Sequence, residues 1–154
     1  MKIIPIIVSI LIAQTAGIIG SVFTASSVRT WFETLLKPDW NPPGWVFGPV
    51  WISLYTLMGI SAYLVWQQRD ISGAKLALSI YGVHLIFNTL WSILFFGLKN
   101  PGLAFVEIIV LLTLIIITTI LFWKINPWAG ALMIPYIAWV SFASVLNYTI
   151  WQLN

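Results

Sequence analysis

The chain has 154 residues, 60% of them hydrophobic and only 7% charged, with a formal net charge of +3. A water-soluble domain carries about a quarter of its residues as charges to keep its surface hydrated, so a soluble globular fold is excluded. No stretch is basic enough to hold nucleic acid, and the absence of cysteine removes disulfides, thiolate catalysis and Cys metal sites.

The seven basic and four acidic residues sit between long apolar runs, and only Glu107 lies inside one. Crossing a hydrocarbon core of about 30 Å takes about 20 apolar residues. In lipid the backbone must satisfy its own hydrogen bonds, so runs of this length are helices. The pattern predicts a single all-α integral membrane domain over 1–154, a five-helix bundle with spans near 3–23, 46–66, 76–96, 103–123 and 128–151.

The first span follows Lys2 and is longer than the apolar core of a signal peptide, so it reads as a membrane helix. Ser9, Ala13, Gly17 and Ser21, with Ala16 and Gly20 beside them, form a stripe of small residues. Such a stripe lets another helix approach closely, within the bundle or across a dimer. The connection 24–45 is long, is stiffened by Pro38, Pro42 and Pro43, and carries Trp31, Phe32, Leu35, Leu36, Trp40 and Trp45. It is expected to fold onto one end of the bundle as a lid. The alternative for its tryptophans is an interfacial belt.

The second span places Phe47, Trp51 and Tyr55 on one face, the third His84, Asn88, Trp91 and Phe95, and the fifth Trp139, Ala143 and Asn147. Such faces suit a pocket for a large planar ligand, with rings stacking on it and Asn88 and Asn147 offering hydrogen bonds. They equally suit plain helix packing. Pro49 and Pro135, beside Trp51 and Trp139, remove helix hydrogen bonds and are candidate kinks. Glu107 on the fourth span must face protein or water, or be protonated. Its readings are a proton or ligand contact, or a hydrogen bond to a neighbouring helix. His84, the sole histidine, suits haem-iron ligation, acid–base work or a polar contact between helices. One histidine without cysteine makes no metal-site pattern, and no conventional catalytic constellation, P-loop or dinucleotide fingerprint is present.

The links 67–75, 97–102 and 124–127 are short, which predicts antiparallel neighbours in sequence order. Lys2, Arg69, Lys75 and Lys124 fall on one side of the membrane and Arg29, Lys37 and Lys99 on the other. Four against three is a slight bias toward a cytoplasmic amino terminus.

The run from Trp31-Phe32 through Leu36-Lys37-Pro38-Asp39-Trp40-Asn41-Pro42-Pro43-Gly44-Trp45 to Gly48-Pro49-Val50-Trp51 and Tyr55 strongly resembles the signature of the TspO/MBR family. Asn88-Thr89-Leu90-Trp91-Ser92, Pro101-Gly102-Leu103-Ala104, and Pro135-Tyr136-Ile137-Ala138-Trp139 with Leu146-Asn147-Tyr148 resemble its later spans, so the likeness covers nearly the whole chain. That family comprises tryptophan-rich sensory proteins and the mitochondrial translocator protein. The resemblance implies a five-helix fold, often dimeric, with a pocket under the first loop. Implied ligands are protoporphyrin IX, haem, sterols and benzodiazepine-type molecules. No cofactor is required, and the partners are these small molecules and membrane lipid.

Family ligand positions fall on Phe32, Trp51, Tyr55, Asn88, Trp91, Phe95, Trp139, Ala143 and Leu146. A light-dependent breakdown of protoporphyrin, reported for some bacterial members, would use Trp51 and Trp139. Transport of porphyrin or lipid is the remaining alternative. Two departures stand out. The family commonly has Gln at the place of His84, which opens haem ligation there. Tyr148 is followed by no basic residue, so the proposed sterol motif is incomplete.

Overall fold

In the computed structural model, which describes residues 2–154, the chain is helical almost throughout. The elements are α1 (Ile3–Ser27), α2 (Trp31–Thr34), α3 (Gly44–Gln67), α4 (Ala74–Ser92, continued by a wide turn at Ile93–Gly97), α5 (Pro101–Ile125) and α6 (Pro127–Leu153). All but α2 are long and apolar enough to cross a membrane.

Local chemistry sets the boundaries. The side chains of Asn100 and Asn126 accept from the Leu103 and Trp128 amides at 3.0 Å. Each precedes a proline at the first helical position, which needs no hydrogen-bond donor. Gly73, at φ 89°, makes the left-handed turn into α4. Pro49 and Pro135 lie inside continuous helices.

The five spans form a closed ring in the order α1, α3, α6, α5, α4. The expected sequential pairing holds for α4–α5 and α5–α6, but α3 and α4 touch only weakly. The reason is the small-residue stripe, which brings α1 against both of them. Ser9 donates its hydroxyl to the Gly59 carbonyl at 2.7 Å, and a Cβ at Gly59 would collide with the backbone of Ile10. Gly17 lies under the Tyr55 ring, and Thr89 donates to the Ala16 carbonyl at 3.0 Å. Ser21 leaves the stripe and is exposed. The stripe therefore packs α1 within its own bundle.

The two ends of the ring differ. At the end away from α2, Ala62, Ala74, Ala77, Ala129, Met133 and Phe122 are buried. There Ser61 donates to the Ala129 carbonyl at 2.6 Å. The other end is aromatic and covered by residues 28–43, the lid expected from the sequence. Trp31 meets Phe95 edge-on at 5.7 Å, Phe32 packs on Phe95 and Phe96, and Trp40 meets Phe142 at 5.9 Å. The Asn154 side chain pairs with the backbone of Leu36 in both directions, accepting from its amide and donating to its carbonyl, each at 2.9 Å. The belt reading also applies, but to other tryptophans: Trp45 is 77% exposed at this end and Trp128 75% exposed at the other.

Candidate ligand-binding site

The aromatic end is built by α3, α4 and α6 beneath the lid. Trp51 packs on Tyr55 (ring centroids 5.5 Å) and edge-on to Tyr136 at 6.2 Å. Phe47 meets Trp139 at 5.7 Å, and Trp139 packs on Phe142 at 5.4 Å. Trp91 stacks on Phe95 at 4.9 Å. Ala143 and Leu146 are packed among these walls, Ala143 with the Trp51 and Trp139 cluster and Leu146 with Phe95 and Phe96. The residues singled out in the sequence thus fall into two neighbouring groups. Trp51, Tyr55, His84, Asn88 and Trp139 lie deeper along the spans, and Phe32, Trp91, Phe95, Leu146 and Asn147 lie under the lid.

The polar side chains are bonded mainly to protein. Tyr55 donates to Asn88 Oδ1, and Asn88 Nδ2 donates to the Tyr136 hydroxyl at 2.7 Å. Tyr136 also lies 3.0 Å from His84 Nε2, and His84 Nδ1 lies 2.8 Å from the Tyr81 carbonyl. Nearer the lid, the Trp91 indole donates to Asn147 Oδ1 at 2.9 Å, and Asn147 donates to the Pro101 carbonyl at 2.8 Å. The two amides therefore orient the aromatic walls. In a low-dielectric interior such bonds hold because the alternative is an unsatisfied group.

Four buried groups break that pattern: among the described residues Trp139 Nε1, the Tyr81 hydroxyl, Asn41 Oδ1 and both Glu107 oxygens have no hydrogen-bond partner, although Glu107 is only 6% exposed. The hydrogen bond to a neighbouring helix that the sequence suggested for Glu107 is not made. An unsatisfied buried indole donor costs about 1–3 kcal/mol, which marks the wall at Trp139 as open to an acceptor.

A cavity of about 370 Å³ opens beside the lid, lined by Trp31, Leu35, Lys99, Gly102, Trp151 and Asn154 among others. A second, of about 350 Å³, is an apolar groove between α1 and α4 on the lipid-facing side. Sequence reasoning missed several contributors to the aromatic end. Tyr136 and Phe142 lie three residues either side of Trp139, a helical spacing that could have marked them, whereas Phe96 had no aromatic at helical spacing. The wide turn at Ile93–Gly97, where the Leu98 amide reaches back to the Ile93 carbonyl at 2.8 Å, allows adjacent Phe95 and Phe96 both to be buried.

Fold and site together define a multi-pass integral membrane protein with a packed aromatic cluster at one end, and neither cavity is lined by Trp51, Asn88, Trp91 or Trp139. The family model described as TspO/MBR family matches residues 9–152, and the chain belongs to that family. It is 42% identical to the tryptophan-rich protein TspO of Archaeoglobus fulgidus, over 100% of this chain and 99% of the relative. It is 40% identical to the tryptophan-rich sensory protein of Cereibacter sphaeroides, over 80% and 77% of the two chains. It is 37% identical to the human translocator protein, over 88% and 82%.

Proposed function

We propose that this protein binds tetrapyrroles such as protoporphyrin IX and haem, and related hydrophobic molecules, at the aromatic end, as a sensor, scavenger or carrier. The observation that carries this reading is the buried, unpartnered Trp139 N–H, whose indole packs edge-on to Phe47 and tilted against Phe142. A flat ligand with acceptor atoms would satisfy that donor, while the partly exposed Trp51 and Trp91 supply rings for stacking. The names of the relatives, which speak of translocation and sensing, agree with a small-molecule role without specifying the molecule.

The test is a titration of detergent-solubilised protein with protoporphyrin IX and with haem, in darkness and in light. Saturable quenching of tryptophan fluorescence that weakens in Trp51→Phe and Trp139→Phe is expected. Unchanged quenching and affinity in both variants would remove these residues from the site. In the illuminated arm, a new chromophore formed only when both indoles are present would assign Trp51 and Trp139 a part in light-dependent conversion. An equal rate in free solution would exclude that.

A further inference from the structure

We propose that His84 is a positioning residue that fixes the direction of a buried hydrogen-bond chain ending at the aromatic site, and that it is not a ligand to haem iron. The part concerning haem rests on the tetrapyrrole reading; the part concerning the chain does not.

The direction follows link by link. His84 is fully buried, and its Nδ1 lies 2.8 Å from the Tyr81 carbonyl. A carbonyl only accepts, so Nδ1 carries the hydrogen. The ring sits in an apolar core, and no carboxylate bonds it. Tyr81 and Tyr136 face it, Tyr55 is linked through Asn88, and Glu107, the sole acid in the spans, makes no hydrogen bond. A buried imidazolium without a counter-charge is costly, so the ring is neutral and Nε2 is bare. The Tyr136 hydroxyl, 3.0 Å away, therefore donates to Nε2. Having given its hydrogen to His84, the Tyr136 oxygen must accept from Asn88, so the Asn88 NH2 faces Tyr136. Asn88 Oδ1 then faces Tyr55, which must donate to it.

One neutral tautomer at one end thus sets the rotamer of two tyrosines and the orientation of an amide. A ligand that reaches Tyr55 beside Trp51 meets an oxygen lone pair, because the phenolic hydrogen points to Asn88.

The Nδ1–H to carbonyl bond is also the one that metal-ligating histidines make, so the decision about iron falls on Nε2. That nitrogen already accepts from Tyr136, which is itself 1% exposed. Ligation would displace the Tyr136 hydrogen and leave a buried hydroxyl without an acceptor. Glutamine at this position keeps the pattern, since its carbonyl can accept from Tyr136 while its amide donates to Tyr81.

The sole histidine makes the test clean. In ligand-free protein carrying 15N-histidine, a single imidazole is expected, protonated at Nδ1 and bare at Nε2. An Nε2–H tautomer or an imidazolium would overturn the chain. In haem titrations, His84→Gln should match the native protein in Soret position and, within about twofold, in affinity; loss of a histidine-type ligation spectrum in His84→Gln would overturn the exclusion of iron. His84→Leu, which can neither accept nor donate, should weaken protoporphyrin binding by up to about tenfold. Native affinity in folded His84→Leu would overturn the positioning role. If the native protein bound no tetrapyrrole at all, the reading of function would fail while the nitrogen spectrum would still decide the chain.

Discussion

The two ends of this bundle solve the membrane packing problem in different ways. The end away from the lid uses alanine, glycine and serine to bring backbones together. At Gly59 there is no room even for a methyl group against Ile10. The lid end uses large rings packed against one another and oriented by side-chain hydrogen bonds, such as Trp91 to Asn147. Lipid tails are as apolar as leucine, so close backbone approach is what stabilises helix pairs there. Rings packed on one another and joined by a few polar bonds take the place of backbone contact at the lid end. The contrast teaches that one ring of helices combines two modes of packing, backbone against backbone at one end and ring against ring at the other.

Four substitutions break or sharpen this contrast. Gly59→Leu forces side-chain atoms into the α1 backbone and should destabilise the fold by about 3 kcal/mol or more. It would be read as a lower thermal unfolding temperature in detergent; native stability would refute the tight-packing account. Asn147→Leu removes the acceptor of Trp91 and the donor to Pro101. It should cost about 1–3 kcal/mol and broaden the fluorescence of Trp91, measured in a variant retaining that tryptophan alone. Trp139→Phe keeps an aromatic ring but deletes the pyrrole part of the indole with its unpartnered N–H. The lost packing and the removed unsatisfied donor oppose one another, so stability should change by less than about 2 kcal/mol while protoporphyrin binding weakens by about two- to tenfold. Asn154→Ala loosens only the lid. Faster hydrogen exchange at the Leu36 amide is expected, with global stability changed by less than about 1 kcal/mol. Unchanged exchange would show that the pairing with Leu36 does not hold the lid.

Much of this was legible beforehand. Hydropathy gave the five spans because lipid demands long apolar helices, and the proline- and tryptophan-rich connection announced a folded lid. The small-residue stripe correctly marked a close helix contact, and its partners, α3 and α4, were beyond sequence reach because the ring order is a tertiary choice. The aromatic faces of three spans meet at one end of the bundle. What stayed hidden was partnership. Tyr136 is one tyrosine in an apolar run, and only the axial register of α4 against α6 brings it to His84 and Asn88. Asn88 and Asn147 looked free to greet a ligand, yet their amides are bonded to neighbours. The wide turn at Ile93–Gly97 leaves no periodic signature, since one extra residue in a helix shifts the phase without changing composition.

The pairing of Asn154 with Leu36 has a topological consequence. Five crossings put Lys2 and Asn154 on opposite sides of the membrane, so Asn154 shares its side with the lid. The lid and the aromatic end therefore face the side of the membrane opposite Lys2. A protease applied to intact cells or sealed vesicles, asked whether it removes a tag placed after Asn154, would identify the compartment that the lid faces.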